Sequence, residues 1–196
     1  MRLAALILAA GESSRFAGCK VLASIDGAPV LQRAIDLAGS VLPGSVFVVS
    51  GAWHEAVQSA FDDGELAGAT LLHNPRWQIG LSASLAHGIT ALAPDYDGVL
   101  VLLADQVALQ PADLQALLKG FDGQRIHCGF YQGRRAVPAL FGRPFYPALT
   151  SLHGDQGARV LLNDPATPVA AIDLPNAAID IDTRAQLADW QNDRIV

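Results

Sequence analysis

The sequence predicts a single α/β domain, a mixed and mainly parallel sheet flanked by helices. Three observations carry that expectation. Short apolar runs alternate with segments of helical period, the pattern of βαβ units. Hydrophobic residues make up 51% of the chain and charged residues 16%, as a sheet covered on both faces requires. A length of 196 residues suits one domain with a sizeable core.

Leu3 to Leu8 is an unbroken apolar run and reads as a buried parallel strand. It runs straight into a small, polar, cationic loop that ends at Lys20. Pro29 to Gly39 reads as a helix, with Pro at its start and Val30, Leu31, Ala34, Ile35 and Ala38 on one face. Ser45 to Ser50 is a second buried strand, Trp53 to Leu66 a helix ending near Gly68, and Ala69 to His73 a short third strand. A loop from Asn74 to Leu81 leads into a helix over Ser82 to Leu92, with Ser82 as its N-cap. Gly98 to Ala104 is the most apolar strand and therefore central, and Pro111 to Phe121 is the next helix.

After Gly123 the pattern changes. Ile126 to Tyr131 and Ala136 to Phe141 flank a Gln132-Gly133-Arg134-Arg135 turn and form a hairpin-like pair. Short helical segments follow near Pro144 to Leu152 and Ala158 to Asn163. A last strand spans Val169 to Leu174, and a C-terminal helix starts at Thr183. There is no repeat, low-complexity tract or long linker.

The net charge is 13 − 19 = −6, which argues against a nucleic-acid partner, so local cations must handle any phosphate. Cys19 and Cys128 make neither a disulfide framework nor a CxxC motif, and a reduced, cytoplasmic compartment is the simpler expectation. Arg2 followed by LAALILAA mimics a short signal peptide, but cleavage there would remove the strand that feeds the loop. No stretch approaches the ~20 apolar residues of a membrane span, so no membrane is expected.

The loop after the first strand carries Gly11, Gly18, Ser13, Ser14, Arg15 and Lys20. Small residues let backbone N–H groups approach an anion and the cations add charge, which suits a phosphate cradle. The alternative is an ordinary turn with a solvated Arg and Lys. It is neither a P-loop, since no Ser or Thr follows Lys20, nor GxGxxG. Asp105 follows the central strand, where open α/β sheets bind ligands, and suits Mg²⁺; a turn or capping role is the other reading. Asp180 and Asp182 alternate along an extended segment, so only one faces the site. Asp182 equally suits a cap of the last helix, with Thr183 competing for that place. Trp77 reads as packing before base stacking. Arg134 and Arg135 are either solvated turn residues or an acceptor-phosphate grip. Gly154, Asp155, Gly157 and Arg159 form a loop entering a helix, a second potential anion site. The five histidines make no HExxH pair, and there is no GxSxG.

LAAGESSRFAGCK, Leu8 to Lys20, resembles the LAAGxSxRxGxxK signature of the nucleotidyltransferases that build molybdenum cofactor dinucleotides. It is most similar to the molybdenum cofactor cytidylyltransferase group, of the MocA/MobA-like kind. The resemblance implies a Rossmann-like fold of nucleotidyltransferase type. It implies Mg²⁺-dependent transfer from CTP to a phosphorylated acceptor, a molybdopterin, with release of pyrophosphate. It divides the chain into a nucleotide-binding half, about 1–122, and an acceptor-binding half, about 123–196.

By the same resemblance Leu8, Ala9, Ala10, Gly11, Ser13, Arg15 and Lys20 wrap the triphosphate. Gly80, Ser82 and Ser84, in NPRWQIGLSASL, lie near the nucleoside. Asp105, in an ADQP-like motif, and Asp182, in a DIDT-like one, hold the metal, and Lys20, Arg15 and Asp105 are the catalytic set. Leu140 to Leu162 resembles an LF…L..L.GD.GAR block associated with the pterin. Three places depart from the pattern: Ala17 where the family has Gly, Val107 where it has Pro, and Ala136-Val137-Pro138 before the LF pair. Cytidylyl members tend to carry LAAG and guanylyl members LAGG, so Ala10 implies CTP. The alternatives are guanylyl transfer, cytidylyl transfer to a sugar-like alcohol phosphate, or a non-catalytic carrier handing molybdopterin to a molybdoenzyme or its chaperone.

Overall fold

A computed structural model describes residues 1–192 of the chain. Seven strands form the main sheet: β1 (Leu3–Ala9), β4 (Val46–Ser50), β5 (Thr70–His73), β6 (Gly98–Leu103), β7 (Ile126–Tyr131), β8 (Arg134–Gly142) and β9 (Val169–Asp173). A two-stranded ribbon, β2 (Ser24–Ile25) and β3 (Ala28–Pro29), stands apart. The helices are α1 (Val30–Val41), α2 (His54–Asp62), α3 (Leu81–Leu92), α4 (Pro111–Leu118), α5 (Tyr146–Thr150), α6 (Arg159–Asn163) and α7 (Arg184–Asn192).

The sheet order is β5-β4-β1-β6-β8-β7-β9, so the apolar run of Gly98–Leu103 is the central strand. Pairings β4–β5, β1–β4, β1–β6 and β7–β9 are parallel, and only β8 runs against both of its neighbours. The reversal follows from the tight turn at Gln132 and Gly133, both at positive φ of 50° and 72°, which a two-residue hairpin of this hand requires.

The sheet splits the core into two layers, and β1 feeds both by simple alternation. Ala5, Ile7 and Ala9 join Leu31, Ile35, Val57 and Leu114 under α1, α2 and α4. Ala4, Leu6 and Leu8 join Leu85, Ile89, Leu149 and Leu162 under α3, α5 and α6. Gly88 lets α3 lie close on the sheet, since a Cβ there would stand 2.5 Å from a Leu6 methyl. A small third cluster, Phe16, Ile25, Val30, Val107 and Ile181, seats the loop after β1 against α7 through Leu187 and Trp190.

The structure corrects several expected boundaries. The helix expected over Trp53 to Leu66 stops at Asp62, because Gly64 turns left-handed (φ 78°) and Leu66 drops into the core. The helix expected to reach Phe121 ends at Leu118, with Gly120 at φ 69°. Pro144 to Leu152 divides into a 3-10 turn, Arg143–Phe145, and the five-residue α5. The β2–β3 ribbon was not expected, being too short to show a period.

Cys128 on β7 is fully buried, and burial pushes its thiol up to about 11, with Arg135 opposing. In the unfolded chain the same thiol ionises near its ordinary 9.0. Above that pH the unfolded state binds fewer protons than the folded one, so stability falls as pH rises through this window. The expected loss is on the order of 2 kcal/mol between about pH 8 and about pH 11. Urea midpoints across that range should show it, and Cys128→Ala should remove this share of the slope.

Candidate active site

The C-terminal ends of β1 and β6 open onto a crevice, because from β1 the chain builds the sheet outward in both directions. The loop after β1 is tied down on three sides. The Ala52 N–H donates to the Ala10 carbonyl (3.1 Å), and Trp53 Nε1 donates to the Glu12 carbonyl (2.9 Å). From the far end of the chain, Arg184 donates through Nε to the Phe16 carbonyl (3.2 Å) and through Nη2 to that of Ala17 (3.4 Å). Its guanidinium also stands 5.3 Å from the centre of the Phe16 ring. Ser13 and Ala17 flank the first turn at φ 58° and 54°. Ala17, at the family's Gly position, thus takes a left-handed conformation that costs an L-residue roughly 1–2 kcal/mol. Where Gly11 stands, a Cβ would meet no heavy atom within 4 Å, so the backbone there borders open space.

Two carboxylates meet at the floor of the crevice. The Ile181 N–H donates to the Asp105 carbonyl (3.2 Å), as does that of Val107 (3.0 Å), and the first of these brings the Asp182 segment alongside. Proline in place of Val107 would lack the second donor. Thr183, not Asp182, caps α7. The Gln186 N–H donates to Thr183 Oγ1 (3.2 Å), while Gln186 Oε1 accepts from the N–H groups of Thr183 (2.9 Å) and Asp182 (2.8 Å). The Asp182 carboxylate is thereby left to the crevice.

Lys20 Nζ lies between the two carboxylates, 2.6 Å from Asp105 Oδ2 and 3.1 Å from Asp182 Oδ1. Arg15 Nη2 reaches Asp182 Oδ2 at 2.9 Å. The Lys20 side chain is 12% exposed and that of Arg15 72%, so solvent screens the Arg15 pairing far more than the Lys20 one. Burial disfavours the Lys20 charge, but the carboxylates outweigh it and hold its pKa above the ordinary value. Asp105 Oδ1 is buried without a hydrogen-bond partner. An oxygen-only donor pair with one orphaned atom fits a hard divalent cation. Among the described residues no group of three or more His, Cys, Asp or Glu side chains is placed to hold a metal. Two carboxylates are a donor set that leaves most of a hard cation's shell to other oxygens.

Leu8, Ala9, Ala10, Gly11, Ser13, Arg15, Lys20, Gly80, Ser84, Asp105 and Asp182 all line one cavity of about 460 Å³. A second, of about 810 Å³, opens beside it, with Leu85, Val101 and Leu162 in its wall and Arg134, Arg159 and Asp180 among its charged residues. Asp180 and Asp182 thus serve different cavities. Leu8, Leu81, Leu103 and Asp155 line both.

Ser82 is the one candidate the structure moves elsewhere. Gly80 occupies the N-cap position of α3, and Ser82 is fully buried at the second helical residue. Its N–H donates to the Gly154 carbonyl (3.1 Å), and its Oγ accepts from the Gly157 N–H (3.2 Å). It bolts the loop of the second cavity to the helix that walls the first. Gly80 and Gly157 permit the contact, since a Cβ at Gly80 would run into Asp155 Oδ1 and one at Gly157 would stand 2.9 Å from Leu81 Cδ2. Ser84 accepts from Asn74 Nδ2 (3.0 Å), and Trp77 packs over Gly51.

Three contributors escaped the sequence reading. Gln106, 6% exposed, donates through Nε2 to the Val137 and Ala177 carbonyls (both 3.0 Å) and to Tyr131 Oη (3.3 Å), pinning the segment after β6. Arg184 and Trp53 grip backbone carbonyls far away in the chain. Only the Thr183-x-x-Gln186 capping box was there to be read. Ser82→Ala would leave the buried Gly157 N–H without its acceptor. It should cost about 1–3 kcal/mol of stability, and thermal melting should show a fall of several degrees.

The sequence profile of the MobA-like NTP transferase domain matches residues 5–171. Bifunctional protein GlmU of Sinorhizobium medicae is 34% identical over 118 residues, 59% of this chain and 25% of GlmU. That of Desulfitobacterium hafniense strain Y51 is 29% identical over 167 residues, 84% of this chain and 34% of GlmU, so the chain spans about a third or less of these curated relatives. Among solved structures, Rv0371c of Mycobacterium tuberculosis H37Rv superposes with a TM-score of 0.82 at 23% identity, covering 98% of this chain and 99% of that one. The same protein has also been solved in complex with manganese. CMP:2-keto-3-deoxy-manno-octonic acid synthetase complexed with CTP superposes at 0.75 with 16% identity, covering 98% of each chain. At these identities the superpositions establish the fold, and the profile match over most of the chain establishes the family. This chain belongs to the MobA-like NTP transferase domain family and is a nucleotidyltransferase.

Proposed function

We propose that the protein transfers a cytidylyl group from CTP to the phosphate of a molybdopterin-type acceptor, with release of pyrophosphate and with Mg²⁺ held by Asp105 and Asp182. The observation that carries the reading is the carboxylate pair with Lys20 and Arg15 at the floor of the smaller cavity, beside a larger one with apolar walls. Residues up to about 122 supply most of the smaller cavity, and residues beyond supply most of the larger. A triphosphate in the first and an acceptor in the second would meet along the shared wall of Leu8, Leu81, Leu103 and Asp155. The manganese complex of Rv0371c supports a divalent metal, and the CTP complex of the octonic acid synthetase supports a cytidine nucleotide.

In-line attack by the acceptor phosphate on the α-phosphate needs positioning and charge neutralisation more than a protein nucleophile. Lys20 and Arg15 steady the triphosphate. When bound, Mg²⁺ offsets the charge that builds on the α-phosphate. The open space at Gly11 lets the loop backbone approach the nucleotide. The larger cavity, with Arg134 and Arg159 among apolar side chains, suits a ring system that carries a phosphate. Among the described residues no helix is long and apolar enough to cross a membrane, and CTP points to a cytoplasmic site of action.

Asp105→Ala should abolish pyrophosphate release while the melting temperature stays near wild type. Wild-type turnover by the purified variant in Mg²⁺ would remove Asp105 from the metal. Lys20→Ala should cut turnover roughly a hundredfold or more, the scale of one preorganised charge aimed at the transition state.

Base choice rests on Ala10, which is buried, lines the smaller cavity and holds its carbonyl against the Ala52 N–H. Its methyl narrows both the space and the backbone freedom that a purine would need. A misfit of that size is worth only about 1–3 kcal/mol, so Ala10→Gly should relax the preference for CTP over GTP without reversing it. Pyrophosphate release from each NTP, screened against candidate acceptors, measures both the base and the acceptor. Equal use of GTP by the unmodified protein would overturn the cytidylyl assignment. A protein that binds the pterin equally well without Asp105 and never releases pyrophosphate would be a carrier instead.

A further inference from the structure

We propose that Lys20 and Arg15 keep the carboxylate pair closed to metal until a triphosphate draws them away, so that metal and nucleotide bind as mutually dependent partners. This rests on the reading of Asp105 and Asp182 as metal ligands. The Lys20 ammonium stands 2.6 Å from one carboxylate and 3.1 Å from the other, the position a cation shared by both would take. Arg15 holds the second oxygen of Asp182 at 2.9 Å. Within this cluster two negative charges are therefore matched by two positive ones, while Glu12 and Asp155 line the cavity beyond it.

Either ligand alone upsets that balance. A divalent cation entering between the carboxylates meets the ammonium at close range, and like charges at this depth repel strongly. A triphosphate alone can draw Lys20 and Arg15 to itself, but it leaves two bare carboxylates beside its own negative charge. Together the two ligands exchange partners cleanly: cations to phosphate, carboxylates to metal. The coupling is reciprocal, as linkage requires. The carboxylates are the fixed side of the exchange, since the Ile181 N–H to Asp105 bond and the Thr183–Gln186 cap hold their backbones. The cations can move as side chains while the loop backbone stays tied down, and Arg15 is largely exposed.

The discriminating measurement is made without nucleotide, because triphosphates chelate metal in solution. Full-length protein is titrated with Mn²⁺ and the free ion is counted by electron paramagnetic resonance. Lys20→Met should bind Mn²⁺ roughly tenfold or more tightly than wild type, within the usual range of coupling between sites. Adding Asp105→Asn to that variant should abolish the gain. Circular dichroism checks the fold, and if Lys20→Met does not fold, Arg15→Gln should show a smaller gain of the same sign. No gain in either variant overturns the proposal. An enzyme that still needs Mg²⁺ and Asp105 for turnover would then keep its assigned function and lose only this coupling. A gain that survives Asp105→Asn would place the ion elsewhere and overturn both.

Discussion

Two carboxylates side by side in a half-buried crevice repel each other, and the Lys20 ammonium between them is what makes their closeness tolerable. The C-terminal edge of the sheet is arranged around that triad. β1 delivers the loop that carries the cation, and β6 delivers Asp105 from the next strand over. A single backbone hydrogen bond from Ile181 draws the last segment of the chain in beside them. The long apolar strands serve this purpose indirectly. Buried on both faces, they hold two loop origins one strand apart, closely enough for a side chain to bridge them.

Much of the sheet was legible because parallel strands covered on both faces show as unbroken aliphatic runs. Leu3–Ala9, Val46–Ser50 and Gly98–Leu103 all fall where such runs lie. Helix ends were less legible. Composition marks Gly68 as clearly as Gly64, and only the burial of Leu66 decides which of them ends α2. The ribbon at Ser24–Ile25 and Ala28–Pro29 is too short to have a period of its own.

In the crevice, the residues carrying charge stood out, while those that aim them did not. Ser13, Arg15, Lys20 and Asp105 are visible as a polar interruption after an apolar strand. Gln106, Arg184 and Trp53 hold backbone carbonyls, and a carbonyl has no signature in a sequence. Asp182 and Thr183 compete for one helix cap on paper. Gln186 decides it, because its amide oxygen completes a box with Thr183 and leaves the neighbouring carboxylate unspent. Ser82 misled for a related reason. A serine near a helix start resembles a cap, but here Gly80 already stands at that corner and the hydroxyl turns inward to another loop.

That inward turn bears on how the lining of the larger cavity can change. Ser82 grips the loop of the larger cavity through main-chain atoms alone, the Gly154 carbonyl and the Gly157 N–H. Asp155 lies against Gly80 and lines both cavities, whereas the side chains of Gln156 and Arg159 take no part in that grip. They can therefore be exchanged while the loop keeps its distance from the smaller cavity. A scaffold built this way separates the question of which molecule is accepted from the question of where it is held. The lining of the larger cavity can then vary by substitution on one short loop while the cluster of carboxylates and cations next door stays as it is.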